Sequence, residues 1–260
     1  MTCGISLLFH DVYRRSPSES GFQGAVADRY KVPVAEFDAA LAVLDEVGAA
    51  QDALVHCPAI PPASGVLVTV DDGGSSYYDV TAERLEARGR RGCCFVSTAM
   101  IGRPGFLDAS QIRELDRRGH LIGSHSVSHP TRFSACSREQ MIDEWTSSRR
   151  TLEDLLGHPI DVASLPGGYL SQAVEQSADA ARLRVLFTSE PTSRVRQRGA
   201  CQIVGRYTIR RGRPELLRQI VSPVPIARWR EWLVWNGKKV IKPVLGPAYP
   251  QISAWLMSGR

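Results

Sequence analysis

The sequence predicts an α/β fold built on parallel strands. Short apolar, β-branched runs alternate with amphipathic helical stretches, the pattern of strands joined by crossover helices in a barrel or a doubly wound sheet. A length of 260 residues with 43% hydrophobic content is ordinary for a single α/β barrel and fills one sizeable core. The apolar run Gly65 to Val70 is followed at once by Asp71 and Asp72. Carboxylates at the C-terminal end of a buried strand stand where such folds keep their chemistry.

Each element follows from local pattern. Ile5 to Phe9 reads as a first strand. A polar, turn-rich linker then leads to a helix over Val34 to Val47, with Phe37, Leu41, Leu44 and Val47 at helical spacing and Gly48 as its stop. The strand at 65–70 precedes a helix over Asp79 to Arg88. Cys93 to Ser97 is a further buried strand, Ala109 to Arg118 a helix stopped by Gly119, and His120 to Gly123 a strand that again delivers polar residues at its end. The capping box Ser137 to Gln140 opens a helix that runs to Leu156 and closes at Gly157. Val162 to Leu165, Gln172 to Arg182 and Val185 to Thr188 continue as strand, helix and strand. There is no internal repeat and no low-complexity tract.

Beyond residue 222 the pattern changes. Pro223 and Pro225 punctuate, and the stretch "IARWREWLVWNGKKVIKPVLG" is basic and rich in tryptophan. Ile226, Trp229, Trp232 and Leu233 share one helical face, with Arg228, Arg230 and Glu231 elsewhere. The expected organisation is a barrel over residues 1–222 with a helical extension over residues 223–260 packed on or beside it.

Charge follows the same division. The segment from Arg182 to Lys242 holds 15 Lys and Arg against Glu190, Glu215 and Glu231, whereas residues 1–181 carry 16 basic and 24 acidic groups. An acidic body with a basic tail draws phosphates or anionic lipid head groups toward Arg210, Arg211, Arg213, Arg228, Lys238 and Lys239. Net charge without a recognisable motif does not make a nucleic-acid binder, and no nucleic-acid partner is expected. Six cysteines without framework spacing read as reduced thiols. Ile5 to Phe9 falls short of a signal-peptide core and no membrane-spanning run is visible, so the expectation is a cytoplasmic protein, peripheral to the inner face of the membrane if its basic segment meets lipid.

His125 and His129, in "IGSHSVSHP", stand four residues apart, so a helical turn would place both imidazoles on one side before Pro130 breaks it. Two such histidines can share a divalent metal. They follow a buried strand as Asp71 and Asp72 do, and parallel strands bring both ends to one rim. One carboxylate and two imidazoles leave positions open for water and substrate, which marks a catalytic metal. The second aspartate is then free to take a proton from water as general base.

"TVDDGG", then "SHSVSH" about fifty residues on, then "LPGGY", resemble the first three motifs of the polysaccharide deacetylase family, whose shared unit is the NodB homology domain. The likeness covers roughly residues 5 to 210. It implies a distorted (β/α) barrel with seven rather than eight units, a divalent metal, most often zinc, and hydrolysis of N-acetyl or O-acetyl groups on sugars. Residue by residue, Asp71 resembles the catalytic base, and Asp72, His125 and His129 resemble the metal ligands. Pro166, Gly167, Gly168 and Tyr169 resemble the third motif, which walls the substrate groove, and the Tyr169 amide would help stabilise the oxyanion.

Two departures accompany the resemblance. The family's third motif begins with an arginine that orients the base, and here that place holds Ser164. Its last motif supplies a Leu-x-His whose histidine protonates the leaving amine, and no histidine follows Val185. His10, at the end of the first strand, is the candidate to reach the same rim as acid, ahead of Glu190 in "FTSEPT", which joins the substrate-binding set. The expected function is a metal-dependent carbohydrate deacetylase acting on an acetylated sugar, an intracellular glycan precursor or lipid-linked saccharide. The alternative is a catalytically impaired glycan-binding protein that keeps barrel and metal site.

Overall fold

The parallel strands bring the segments carrying Asp71, Asp72, His125 and Ser164 to one rim. A computed structural model describes residues 4–48 and 65–245. The strands are β1 Ile5–Phe9, β2 Val12–Tyr13, β3 Val32–Pro33, β4 Val66–Val70, β5 Cys93–Val96, β6 Leu121–Ser124, β7 Val162–Ser164, β8 Val185–Phe187, β9 Arg196–Arg198, β10 Cys201–Val204 and β11 Tyr207–Thr208. The helices are α1 Ala25–Asp28, α2 Val34–Glu46, α3 Glu83–Glu86, α4 Ala109–Arg117, α5 Arg138–Leu156, α6 Gln172–Ala180, α7 Pro214–Val221 and α8 Ile226–Leu245.

Among the described residues nine strands form one sheet in the order β11-β1-β4-β5-β6-β7-β8-β10-β9, parallel throughout except for the β9–β10 hairpin. Its two ends belong to one stretch of chain. β10 lies beside β8 and β11 beside β1, yet only Gly205 and Arg206 separate them. Three peptide steps span at most about 11 Å, so the sheet must curl until β1 and β8 flank the same kinked segment. Counting β10 and β11 as one stave gives seven: β1, β4, β5, β6, β7, β8 and β10–β11. The sheet is thus the distorted, seven-unit barrel that the resemblance implies. Glycine is required at the kink, because a Cβ on Gly205 would lie 2.4 Å from the Glu190 carbonyl oxygen and 2.5 Å from that of Thr192.

The staves are buried on both faces, as continuous apolar strands must be. Leu7, Phe9, Val68, Val70 and Cys94 pack outward under α2, α7 and the helical turn at Tyr77–Ala82, in a cluster with Phe37, Leu41 and Leu217. Phe133, Met141 and Trp145 form a second cluster under α5 and α6. The Trp145 indole there donates to Ser177 Oγ at 3.2 Å. Leu67, Phe95, Val162, Val185, Phe187 and Val204 fill the space between staves. Among the described residues Cys93, Cys94, Cys136 and Cys201 are free thiols. The C-terminal extension is described as far as Leu245, and the remainder of the 223–260 segment lies outside the described residues. Arg228 ties the start of α8 to α7, donating to the Ile220 and Ser222 carbonyls at 2.8 Å each.

Candidate active site

Asp71 and Asp72 leave β4 where the strand has run out of partners, and their neighbours arrive by register. Phe9 pairs with Val70, Val70 with Cys94, Val96 with Ser124, and Ser124 with Ala163, so the residues just past each pair meet on the rim. Asp72 turns out of the strand with φ 78°, a left-handed conformation that an aspartate tolerates better than most residues. The histidines come together without the helical turn that their spacing predicted. The segment after β6 is a loop in which Ser126 (φ 65°) and His129 (φ 53°) adopt left-handed backbone, and this folds His129 back over His125 at 5.0 Å between rings.

That loop is held from below. Glu144 on α5 accepts the Val127 and Ser128 amides at 2.8 and 2.9 Å and the Ser128 hydroxyl. Ser126 Oγ accepts the His129 amide at 3.1 Å. His125 Nδ1 meets the Ser164 carbonyl at 2.8 Å, which makes that nitrogen the donor and turns Nε2 toward Asp72.

Asp72 Oδ1 lies 3.4 Å from Nε2 of both His125 and His129, and the three donor atoms fall within 4.8 Å of one another. Ligands at about 2.0–2.1 Å in a tetrahedron sit roughly 3.4 Å apart, so the spacing suits one small ion. Among the described residues Asp72 Oδ1 is also buried without a hydrogen-bond partner, as an atom kept for a cation would be. Burial opposes charge on Asp72, but the two imidazoles outweigh it and hold the carboxyl well below its ordinary value. His129 shows the reciprocal effect: burial disfavours its charged form, and Asp72 more than offsets this. The residues therefore fit a divalent metal, with an N,N,O donor set suited to zinc.

Asp71 points to the opposite side of the carboxylate pair and is held by a residue the sequence did not reveal. Arg206, wholly buried at the kink between β10 and β11, grips Asp71 with Nη1 to Oδ1 at 2.7 Å and Nη2 to Oδ2 at 2.8 Å. Its remaining donors reach Thr69 Oγ1 at 3.0 Å, Ser164 Oγ at 2.6 Å and the Thr188 carbonyl at 3.2 Å. All five N–H groups of the guanidinium are thereby matched. Ser164 adds its own hydroxyl to Asp71 Oδ2 at 3.0 Å. Burial raises the Asp71 carboxyl and Arg206 lowers it, with a net displacement below the ordinary value, so Asp71 is ionised and fixed in direction. The arginine absent at position 164 is supplied from another stave, with Ser164 small enough to leave it room.

The other candidates occupy different parts of the rim. His10 follows β1 with Nδ1 buried and, among the described residues, unpartnered, its ring 5.1 Å from that of Tyr30. Burial lowers its pKa, which Asp72 and Asp71 only partly counter, so the imidazole is neutral. Beside it, burial pushes the Asp11 carboxyl up to about 6 against the Ser20 and Ser76 hydroxyls. Pro166–Gly168 forms a tight turn after β7 with Gly167 at φ 66°, where a Cβ would come 2.6 Å from the Thr131 carbonyl oxygen. Tyr169 leaves that turn 40% exposed with the Arg132 guanidinium 5.4 Å over its ring. Glu190 contributes its carbonyl to the Arg206 amide at 2.9 Å, shaping the seam.

A curled parallel sheet thus carries a carboxylate–imidazole triad and a clamped second carboxylate on its C-terminal rim. Residues 60–186 match the family model for polysaccharide deacetylase. A Bacillus subtilis relative that carries the same family designation is 24% identical over 139 residues, 54% of this chain, and the match spans 50% of that relative's length. Among solved structures, a Streptococcus pyogenes deacetylase in complex with acetate superposes with TM-score 0.66 at 19% identity, covering 85% of this chain and 99% of that one. A polysaccharide deacetylase from Bacillus cereus gives TM-score 0.70 at 17% identity over 85% and 69% of the two chains. These likenesses are of fold. Residues 60–186 thus carry a likeness to the polysaccharide deacetylase family, a class of hydrolases acting on carbohydrate acetyl groups.

Proposed function

We propose that this protein is a metal-dependent deacetylase that hydrolyses the acetamido group of a sugar to acetate and a free amine. The observation that carries the reading is Asp71, buried, ionised by Arg206 and set beside the Asp72, His125 and His129 triad. A divalent cation held by those three side chains would lower the pKa of a water and polarise the acetyl carbonyl. Asp71 accepts the proton of the attacking water. Ser164 and Arg206 hold its carboxylate so that no rotation is needed. The Tyr169 amide on the third-motif turn would donate to the developing oxyanion, and Pro166, Gly167, Gly168 and Glu190 would border the sugar. When the C–N bond breaks, the nitrogen needs a proton. His10 is held neutral by burial, so Asp71, protonated in the first step, returns it, and His10 hydrogen-bonds the leaving nitrogen.

A buried ionised base opposes the binding-protein alternative, because an unused buried charge costs stability without return. The reading includes an intracellular or lipid-linked glycan precursor as substrate and a place at the inner membrane face. Its support is the exposed Ile226, Trp229 and Leu233 on α8 beside Arg230. Among the described residues no helix is long and apolar enough to cross a membrane. The test is elemental analysis of the purified protein together with acetate release from acetamido sugars with and without zinc. Asp71→Asn should keep metal and lose turnover, and His125→Ala should lose both. Metal retained by His125→Ala refutes the ligand set, and a metal-loaded protein inert on every acetylated sugar favours the binding-protein alternative.

A further inference from the structure

A cleft of about 400 Å³ opens between α8 and the barrel, and its walls carry Ser189, Thr208, Arg210, Arg213, Arg230 and Glu231. That volume lies in the range of small-molecule sites. The cleft adjoins the candidate active site on two sides. Trp235 lines it, and a Cβ on Gly168 would stand 3.5 Å from the Trp235 ring and 3.0 Å from Ser189 Oγ, so the third-motif turn backs directly onto the cleft wall. On the other side Arg210, just past β11, lies 4.8 Å over the Tyr30 ring, which in turn meets His10.

Charge in the cleft is uneven. Arg213 is paired with Glu231 at 3.2 Å, whereas among the described residues Arg210 and Arg230 have no carboxylate within 4.0 Å. The cleft thus carries two positive charges in excess. A single carboxylate would leave one of them unmet, but a phosphate monoester or a diphosphate diester supplies about two negative charges and oxygens that suit the guanidinium fork.

We propose that this cleft binds the phosphate or diphosphate of an acetamido sugar whose acetyl group reaches the metal triad. This rests on the deacetylase reading and names its substrate class. The sugar lies along the Gly168 and Trp235 wall, and the anionic group extends to Arg210 and Arg230. Such a substrate is the product of a reaction that activates a sugar as its glycosyl phosphate or diphosphate.

Calorimetric titration with inorganic pyrophosphate tests the cleft without turnover. Asp72→Ala, which breaks the metal triad, should still bind pyrophosphate, and adding Arg210→Ala and Arg230→Ala should weaken binding tenfold or more. Acetate release should then show kcat/KM at least tenfold higher for a diphosphate-linked acetamido sugar than for the neutral sugar, with the ratio falling toward one in the Arg210→Ala/Arg230→Ala protein. A nucleoside diphosphate sugar and a short-chain lipid diphosphate sugar distinguish the two sources of that group. Equal kcat/KM on neutral and phosphorylated sugars, or pyrophosphate binding insensitive to both arginines, overturns the cleft. Pyrophosphate binding through the arginines with no acetate released from any sugar leaves the anion site standing and refutes the deacetylase reading instead.

Discussion

Replacing Arg206 with lysine keeps the charge at the barrel seam but removes the fork. Five matched donors become at most three, and the paired contacts to Asp71 at 2.7 and 2.8 Å collapse to one. Loss of one charge-assisted bond and desertion of Ser164 or Thr69 costs about 2–3 kcal/mol. In a chain of this size that lowers Tm by roughly 5–10 °C. Arg206→Leu leaves Asp71 buried without a cation and costs about 3–5 kcal/mol, enough to threaten folding, which is why lysine is the informative substitution. In Arg206→Lys the base loses its direction, and a displacement near 1 Å lowers kcat about 100-fold with KM little changed. The pH profile gives a second readout. Arg206 is the main force lowering the Asp71 pKa against burial, so weakening it raises that pKa, and the acid limb of kcat, which requires ionised Asp71, moves to higher pH. A steady-state pH–rate series with thermal melts decides the matter. A variant that melts lower but keeps its kcat and acid limb would show that Arg206 only closes the barrel and does not position the base.

Glu144→Ala frees the Val127 and Ser128 amides and loosens the histidine loop, so zinc affinity by competition titration should fall about 10- to 100-fold while circular dichroism stays unchanged. Burial lowers the His120 pKa to about 4, countered in part by Glu86, so the unfolded chain, near pH 6.5, takes up a proton the folded protein refuses. The stability contributed by neutral His120 is therefore whole above pH 6.5 and lost as pH falls toward 4. In denaturant unfolding His120→Asn should cost more at pH 8 than at pH 4.5, and an equal cost at both would refute the shift. Gly205→Ala drives a Cβ to 2.4 Å from the Glu190 carbonyl oxygen and should displace Arg206, lowering Tm and kcat together. Normal activity would show that the seam can relax.

The strands β1 and β4 to β8, most helices and the metal triad were legible because each rests on local pattern, whereas the short strands β2, β3 and β9 to β11 were not. Val66–Val70 is apolar enough to be buried on both faces, so the polar residues after it had to surface at an end, and the same logic placed His125. The capping box at Ser137 set the start of α5. The spacing of His125 and His129 predicts a helical turn where the chain forms a loop, because spacing alone does not distinguish a turn of helix from a loop with left-handed residues at Ser126 and His129. Arg206 escaped notice among fifteen basic residues of the tail, although it too follows a buried strand, after Ile203 and Val204.

By itself the sequence determined the order of the strands β1 and β4 to β8 and of the helices between them, the carboxylate pair, the two histidines and the family they resemble. These follow from hydrophobic period and from residue types that chemistry demands, both of which act over a few neighbours. Tertiary structure alone decided that β10 and β11 are one stave closing a seven-unit barrel, and that an arginine 135 residues from Asp71 takes the place left by Ser164. Closure is a property of the whole sheet's curl, and a buried ion pair is fixed by which groups burial leaves without water, so neither is written in any short stretch of chain.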